Sequence, residues 1–360
     1  MSSPKKILFV SCSIGAGHKR AAEALLLATK KRNDIIAEHI DLMDYSDWLV
    51  KKTVPSSYNF LARYLPQIYN LLYRLADGHK GADGLALFCE LFQFNLRRFG
   101  HFIEQFKPDR IVCTHFLATI FLKERAGNAP VDFVITDYGL NRVILSPLVR
   151  SFFAPTEELA DELRREGRMA VASGIPIHPA FQENKNIETA KKNFGLNKNW
   201  PTVLVMCGGH GLSDPTAIAT AIGDGLEKAN LVVVTGKNAP ISRDKLASFK
   251  NNKQINFRLI RFTEKIDELM RASDVIITKP GGLTVTEALY LKKPLLLYSP
   301  IPGQEEANAA FVEKNNFGRM INEPSEALTA VRQIFSGQLK FGEPNMPTNA
   351  AETIVAEVMK

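Results

Sequence analysis

No stretch of about 18 consecutive apolar residues occurs in this sequence, so no helix able to cross a bilayer is expected. Cysteine is scarce: Cys12, Cys89, Cys113 and Cys207 lie far apart, with neither a C-x-x-C pair nor a metal-ligand spacing. That excludes a disulfide-stapled scaffold and a zinc ribbon, and it fits reduced, mostly buried thiols in a cytosolic protein. Low-complexity tracts and fixed-period repeats are also missing, which sets disorder and solenoids aside. Charge is nearly balanced. The 45 Lys and Arg against 38 Asp and Glu leave +7, enough to favour lipid headgroups, nucleotide phosphate or nucleic acid without choosing among them. Lys5-Lys6 before ILFVSC superficially resembles a signal peptide, but the apolar run is short and leads into a glycine loop rather than a cleavage site. It reads as a first buried strand.

What is present is a chain of 360 residues, 45% hydrophobic and 23% charged, long enough for two domains of about 150 to 180 residues each. KKILFVSC ends in a Gly turn, after which Ala21, Ala24, Leu25 and Ala28 recur at helical spacing. A second strand follows near Ile35 to Ile40, and DRIVCTH and VDFVITD supply two more, each ending in polar residues. SFFAPTEELADELRREG gives a strand and a helix with Thr156 as N-cap. SGIPIHPAF, with one glycine and two prolines, is linker chemistry. Five further apolar runs follow: PTVLVMCGG, ANLVVVTGK, INFRLIRF, ASDVIITKPGG and KPLLLYSP. The expected fold is α/β, two doubly wound Rossmann-like domains facing across a cleft, with ligands at the carboxyl ends of the strands. The expected boundaries are 1–172, 173–340, and a helix within 341–360 that returns toward the first domain.

Chemistry concentrates at the strand ends. TKPGGLTVTEAL places Gly281 and Gly282 between a strand and a helix opening near Thr284, where exposed N–H groups and the helix dipole suit a diphosphate. CGGHGLSD, with Gly208, Gly209 and His210, repeats the design, and PGQEEANAA gives a third glycine-to-helix junction. Each has a plainer reading. Thr284 and Glu287 also form a capping box, and Gln304, Glu305 and Asn308 could equally be an exposed helix start. In SCSIGAGHKRAAEAL, Gly15 and Gly17 precede His18, which could pack or cap a helix start, or act as a base with a pKa suited to neutral pH. His115 in CTHF and Asp137 in ITDYG are alternative or supporting groups, or simply strand terminators.

Together these stretches resemble a known family. KPGGLTVTEALYLKKPLLLYSPIPGQEEANA follows the donor-site signature of GT-B glycosyltransferases of family 28. GAGHKRAAEAL with SGIPIHPAF looks like their diacylglycerol glycosyltransferase branch, which includes monogalactosyldiacylglycerol synthases and processive bacterial glucosyltransferases. The resemblance implies inverting transfer of a hexose from a UDP-sugar to a lipid hydroxyl with no cofactor or metal required. It implies Glu287 as the ribose-binding carboxylate and Gln304 and Glu305 as the pair on the sugar hydroxyls, with Asn308 in the same set. Gly281, Gly282, Leu283 and Thr284 would meet the diphosphate, Gly208, Gly209 and His210 the opposite wall, and Phe262 the uracil. His18 would be the base, with Asp137 as its orienter or substitute. Relatives carry a more glycine-dense first loop, whereas Ser11, Cys12, Ser13 and Ile14 stand here before Gly15.

The acceptor is hinted at between about residues 45 and 106. Between Trp48 and Arg110, nine basic residues face five acidic ones. Two helical stripes run through it, one with Tyr58, Leu61, Leu65, Ile68 and Leu72, the other with Leu85, Phe88, Phe92, Leu96, Phe99 and Ile103. They are two helices packing on the sheet or, with Arg97 and Arg98, a surface for an anionic bilayer on the inner face of the cell membrane. Nucleic acid is not expected, since no binding motif accompanies the charge. The rival readings are a UDP-sugar epimerase of the same plan and a non-catalytic UDP-sugar-binding protein.

Overall fold

The computed structural model describes residues 3–45, 97–123, 125–208, 215–236, 242, 246, 249 and 252–360. The chain forms two compact units, Met1–Pro179 with Pro302–Gln304 and Pro347–Lys360, and Ala180–Ile301 with Glu305–Met346. The first helical stripe, Tyr58 to Leu72, and the second as far as Leu96 lie outside the described residues.

The first unit contains β1 (Lys5–Ser11), α1 (Ala16–Thr29), β2 (Ile35–Asp41), α2 (Leu42–Tyr45), α3 (Arg97–Phe106), β3 (Arg110–Cys113), α4 (Phe116–Leu122), β4 (Val131–Val134), β5 (Val149–Ala154), α5 (Glu157–Arg165) and β6 (Met169–Ala172). Its strands run parallel in the order β2-β1-β3-β4-β5-β6. Successive side chains of a strand point to opposite faces, and β1 serves both. Leu8 and Val10 join Ile111, Phe133 and Phe152 on one face, where Phe99 and Ile103 of α3 pack. Ile7 and Phe9 join Val112 and Phe153 on the other, with Ala22 and Leu25 of α1. This double burial is why β1 reads as an unbroken apolar run. Phe99 and Ile103 therefore belong to the core, and Lys6 Nζ donates 3.0 Å to the Phe106 carbonyl at the end of α3. Thr156 caps α5, its Oγ1 accepting from Leu159 N–H at 3.2 Å.

The second unit contains α6 (Ile187–Asn193), β7 (Thr202–Met206), α7 (Thr216–Gly225), β8 (Ala229–Val234), β9 (Ile255–Ile260), α8 (Ile266–Ala272), β10 (Val275–Thr278), α9 (Gly282–Tyr290), β11 (Leu295–Leu297), α10 (Gln304–Lys314), β12 (Gly318–Met320) and α11 (Pro324–Phe335). Its sheet is also parallel, in the order β12-β11-β10-β7-β8-β9. A last helix, α12 (Ala350–Val358), returns to the first unit. Ile354, Val355 and Val358 complete the apolar layer over Ile7 and Phe9.

Two strands, β6 and β12, stand where no strand was expected. Both are edge strands of four and three residues, too short to show a burial period. β12 also opens on Gly318, where any Cβ would overlap the Leu295 carbonyl of β11. Only glycine lets these two backbones pair so closely.

Candidate functional site

In an open parallel sheet, ligands collect outside the carboxyl ends of the strands where the strand order reverses, because neighbouring connections there leave in opposite directions. In the first unit that reversal falls between β1 and β3. In the second it falls between β10 and β7. The loops after β1 and β3 carry His18, Thr114 and His115. Those after β7 and β10 carry Gly208 and Gly281.

The β1 loop is tied down from β2. Asp41 Oδ1 accepts from the Ser13 and Met43 N–H groups, both at 3.1 Å, and Lys19 Nζ stands 3.9 Å from its other oxygen. Ser11 Oγ meets His39 Nε2 at 2.8 Å beside it. Gly15 is the N-cap of α1, in extended conformation with no side-chain cap. This places His18 in the first turn of the helix, partly exposed.

His18 Nδ1 lies 2.7 Å from the Thr114 carbonyl oxygen and 2.9 Å from Thr136 Oγ1. A carbonyl can only accept, so Nδ1 carries the ring proton and the neutral ring keeps its lone pair on Nε2. Thr114 returns the bond, its Oγ1 donating to the His18 carbonyl at 2.9 Å. Burial lowers the His18 pKa below its ordinary 6.5, opposed by the charge of Asp137 and the hydrogen bond to Thr114. The ring is therefore neutral at neutral pH, as a general base must be.

His115 and Asp137 stand differently toward His18. The His115 ring meets that of His18 edge-on at 4.6 Å. Its Nδ1, however, accepts from Leu117 N–H at 3.2 Å and caps α4. Burial, and then the neighbouring His18, hold its pKa well below the ordinary value. It is a buried, neutral helix cap. Asp137 acts on His18 through charge, while the orienting contacts at Nδ1 come from Thr114 and Thr136.

In the second unit, α9 opens at Gly282 with Gly281 as N-cap and no side-chain cap, two residues earlier than its sequence suggests. Thr284 is thus inside the first turn and cannot form a capping box with Glu287. The first-turn N–H groups of Leu283 and Thr284 are left for a ligand. Among the described residues, a Cβ at Gly281 or Gly208 would meet nothing within 4 Å. Glu287 is buried on α9, at 2% exposure. Gly209 and His210 lie outside the described residues.

The third junction is bonded to the second. Asn308 of α10, wholly buried, donates through Nδ2 to the Pro280 carbonyl at 2.9 Å. Glu305 Oε2 accepts from Ile301 N–H at 2.6 Å and pairs with Lys279 Nζ at 3.2 Å. The structure thus brings Gly281, Glu305 and Asn308 together, with Gln304 opening the same helix. The loop before it runs through left-handed backbone at Ser299 (φ 49°) and Gly303 (φ 88°). Phe262, half exposed, follows edge strand β9. Three strand spacings, roughly 14 Å, separate β9 from β10. Among the described residues, no group of three or more His, Cys, Asp or Glu side chains is placed to hold a metal ion.

Sequence reading gave no role to Asp41, Thr136 or Lys279. Lys279 stood in the quoted motif, and its burial beside Glu305 was the missing signal. Asp41 and Thr136 are polar residues at the carboxyl ends of apolar strands, a position that marks site residues in this kind of sheet.

The family of monogalactosyldiacylglycerol (MGDG) synthases matches residues 18–177, and the C-terminal domain of glycosyltransferase family 28 matches residues 202–357. The chain is 26% identical over 373 residues to a processive diacylglycerol beta-glucosyltransferase of Bacillus subtilis (strain 168), covering 100% of this chain and 96% of that protein. Among solved structures it resembles Acinetobacter baumannii MurG (TM-score 0.60, 15% identity, 99% of each chain). It also resembles the UDP-GlcNAc 2-epimerase of Neisseria meningitidis bound to UDP-GlcNAc (TM-score 0.60, 17% identity, 98% of this chain and 99% of that one). At such identities the two structures speak for the fold alone.

Proposed function

The chain belongs to the diacylglycerol glycosyltransferase branch of glycosyltransferase family 28, and from that premise we propose how its own residues carry out the reaction. It is a GT-B enzyme that moves a hexose from a UDP-sugar to diacylglycerol or a related membrane lipid, with inversion at the sugar carbon. The observation that carries the mechanism is the fixed tautomer of His18, with the proton on Nδ1 and the lone pair on Nε2.

His18 Nε2 takes the proton of the acceptor hydroxyl as its oxygen bonds to C1 of the sugar. The bond from C1 to the UDP oxygen breaks on the opposite face, and UDP leaves with the electron pair. Its diphosphate rests on the first-turn N–H groups of α9 around Gly281, Gly282, Leu283 and Thr284, where the helix dipole favours anionic charge. Gly208, just after β7, lines the opposite wall. Glu287 holds the ribose, Phe262 stacks on the uracil, and Gln304 and Glu305 hold the sugar hydroxyls. Asn308 keeps α10 against the Pro280 loop. Asp137 stabilises the imidazolium that forms. No metal takes part in this scheme, because the helix terminus offsets the leaving charge.

No helix among the described residues is long and apolar enough to span a membrane. We place the enzyme on the cytoplasmic face of the cell membrane as a peripheral protein, reaching its lipid through the basic, aromatic segment of 45–106. Nucleic acid is not a partner in this reading. Incubation with UDP-glucose or UDP-galactose, with and without diacylglycerol vesicles, tests it. UDP release that depends on the vesicles and yields a glycolipid by mass spectrometry is expected. Release independent of lipid, or interconversion of the UDP-sugar itself, would overturn it in favour of hydrolysis or epimerisation.

A further inference from the structure

The contact between Thr136 and His18 joins residues 118 positions apart, and the reaction as described does not use it. We propose that Thr136 is a positioning residue for the base, sharing with the Thr114 carbonyl the proton on His18 Nδ1 and so keeping Nε2 unprotonated toward the acceptor. This rests on His18 being the base.

Three observations converge on it. First, the Thr114 carbonyl at 2.7 Å can only accept, so it favours the tautomer with the proton on Nδ1 by the worth of one hydrogen bond. Were the Thr136 hydroxyl to donate to Nδ1 instead, the Nδ1 and carbonyl lone pairs would face each other at that distance. Thr136 Oγ1, at 2.9 Å, is therefore a second acceptor for the same N–H. Second, the backbone that carries the ring is fixed to the same strand end. The Thr114 hydroxyl donates to the His18 carbonyl at 2.9 Å and ties the first turn of α1 to the end of β3. Third, the other edge of the ring is left room. A Cβ at Gly15 would stand 3.4 Å from Cδ2 and 3.7 Å from Nε2 of His18, so glycine keeps side-chain atoms away from the reactive nitrogen. Fixed geometry of this kind matters because a base must meet its proton within a narrow distance and angle.

The groups that bear on His18 electrically are Asp137, which follows β4, and His115 at the start of α4. His115 stays neutral through its cap on Leu117. It adds no competing charge at neutral pH. Thr136 differs from both in acting through one directed bond at one ring nitrogen. Its removal should disturb tautomer and turnover together while leaving the donor site untouched.

The test uses the full-length protein labelled with 15N-histidine and long-range 1H–15N correlation of the imidazole rings, with His18→Gln identifying the His18 signals. The wild type should show His18 with Nδ1 protonated and Nε2 unprotonated. Thr136→Val, which keeps shape and loses the acceptor, should give a mixed tautomer and lower kcat about fivefold to tenfold, the scale of one lost hydrogen bond. The KM for UDP-glucose should stay unchanged. Thr136→Ser should restore both tautomer and kcat. A Thr136→Val protein with the wild-type tautomer and wild-type kcat overturns the proposal, as does a Thr136→Ser protein no better than valine. If the tautomer shifts in Thr136→Val but His18→Gln turns over normally, the base assignment fails and the bond is structural. If His18→Gln is inactive while Thr136→Val is wild type in both readouts, the base stands and the positioning role falls.

Discussion

Replacing Lys279 by methionine should damage the second unit more than any single surface charge could. Lys279 is 7% exposed, and its ammonium lies 3.2 Å from a Glu305 oxygen that also accepts from Ile301 N–H. At that separation, with an effective dielectric of about 20, the gross attraction is about 5 kcal/mol, most of it offset by the cost of taking both charges out of water. Removing one partner leaves that desolvation cost without its compensation, about 3–5 kcal/mol for a fully buried pair. Glu305 keeps its bond to Ile301 and some solvent, so a loss of about 2–3 kcal/mol is expected. For a unit of about 160 residues this corresponds to a fall in melting temperature of roughly 4–10 °C. The assay is thermal unfolding of Lys279→Met, Glu305→Gln and the double variant, with UDP-glucose titrated into each by calorimetry. The double variant, with a neutral pair, should recover about 2 kcal/mol relative to the sum of the single losses. Additive losses would refute the argument, because they would show that the two side chains do not sense each other.

Other predictions bear on the two sites separately. His18→Ala should lower kcat about 100-fold or more while UDP binds normally, whereas Glu287→Ala should weaken UDP about 10- to 100-fold by calorimetry. Burial lowers the pKa of both His18 and His115. The unfolded chain thus takes up protons near pH 6.5 that the folded one refuses, and stability falls as pH drops below that value. Each histidine contributes up to about 1.4 kcal/mol per pH unit. His115→Gln should flatten this slope in urea melts between pH 6.5 and 5, and an unchanged slope would contradict the burial. The acid limb of kcat/KM should likewise lie below pH 6.5. Gly318→Ala should cost about 1–3 kcal/mol, read by thermal unfolding, because β12 must move off Leu295.

Much of the architecture is legible along the chain because its signals are local. β1 and β7 are buried on both faces and read as unbroken apolar runs, and Thr156 marks the start of α5 by its type and place. The short edge strands β6 and β12 give no such signal, since one side of each is open and few residues are involved. The start of α9 is displaced because Thr284 and Glu287 have the spacing of a capping box, while the helix opens at Gly282 with Gly281 as its N-cap, whose missing side chain gives no mark. His18 and the glycine junctions could be singled out from their position after strands. The partners of His18 could not: Thr114 is 96 residues away and Thr136 is 118. Periodicity and capping rules carry nothing over such distances; only the sheet order, which sets β3 beside β1 and β4 next to β3, brings these groups together.

The central claim is a single displacement, with the acceptor oxygen entering opposite the departing UDP while His18 takes its proton. The anomeric configuration of the glycolipid tests this most directly. UDP-glucose is α-linked, so the proton NMR spectrum of the purified product should show the large anomeric coupling of a β-glucosyl diacylglycerol. A product with retained α-configuration would contradict the account, because it would require two displacements or a same-face attack that the proposed roles of His18 and α9 do not provide.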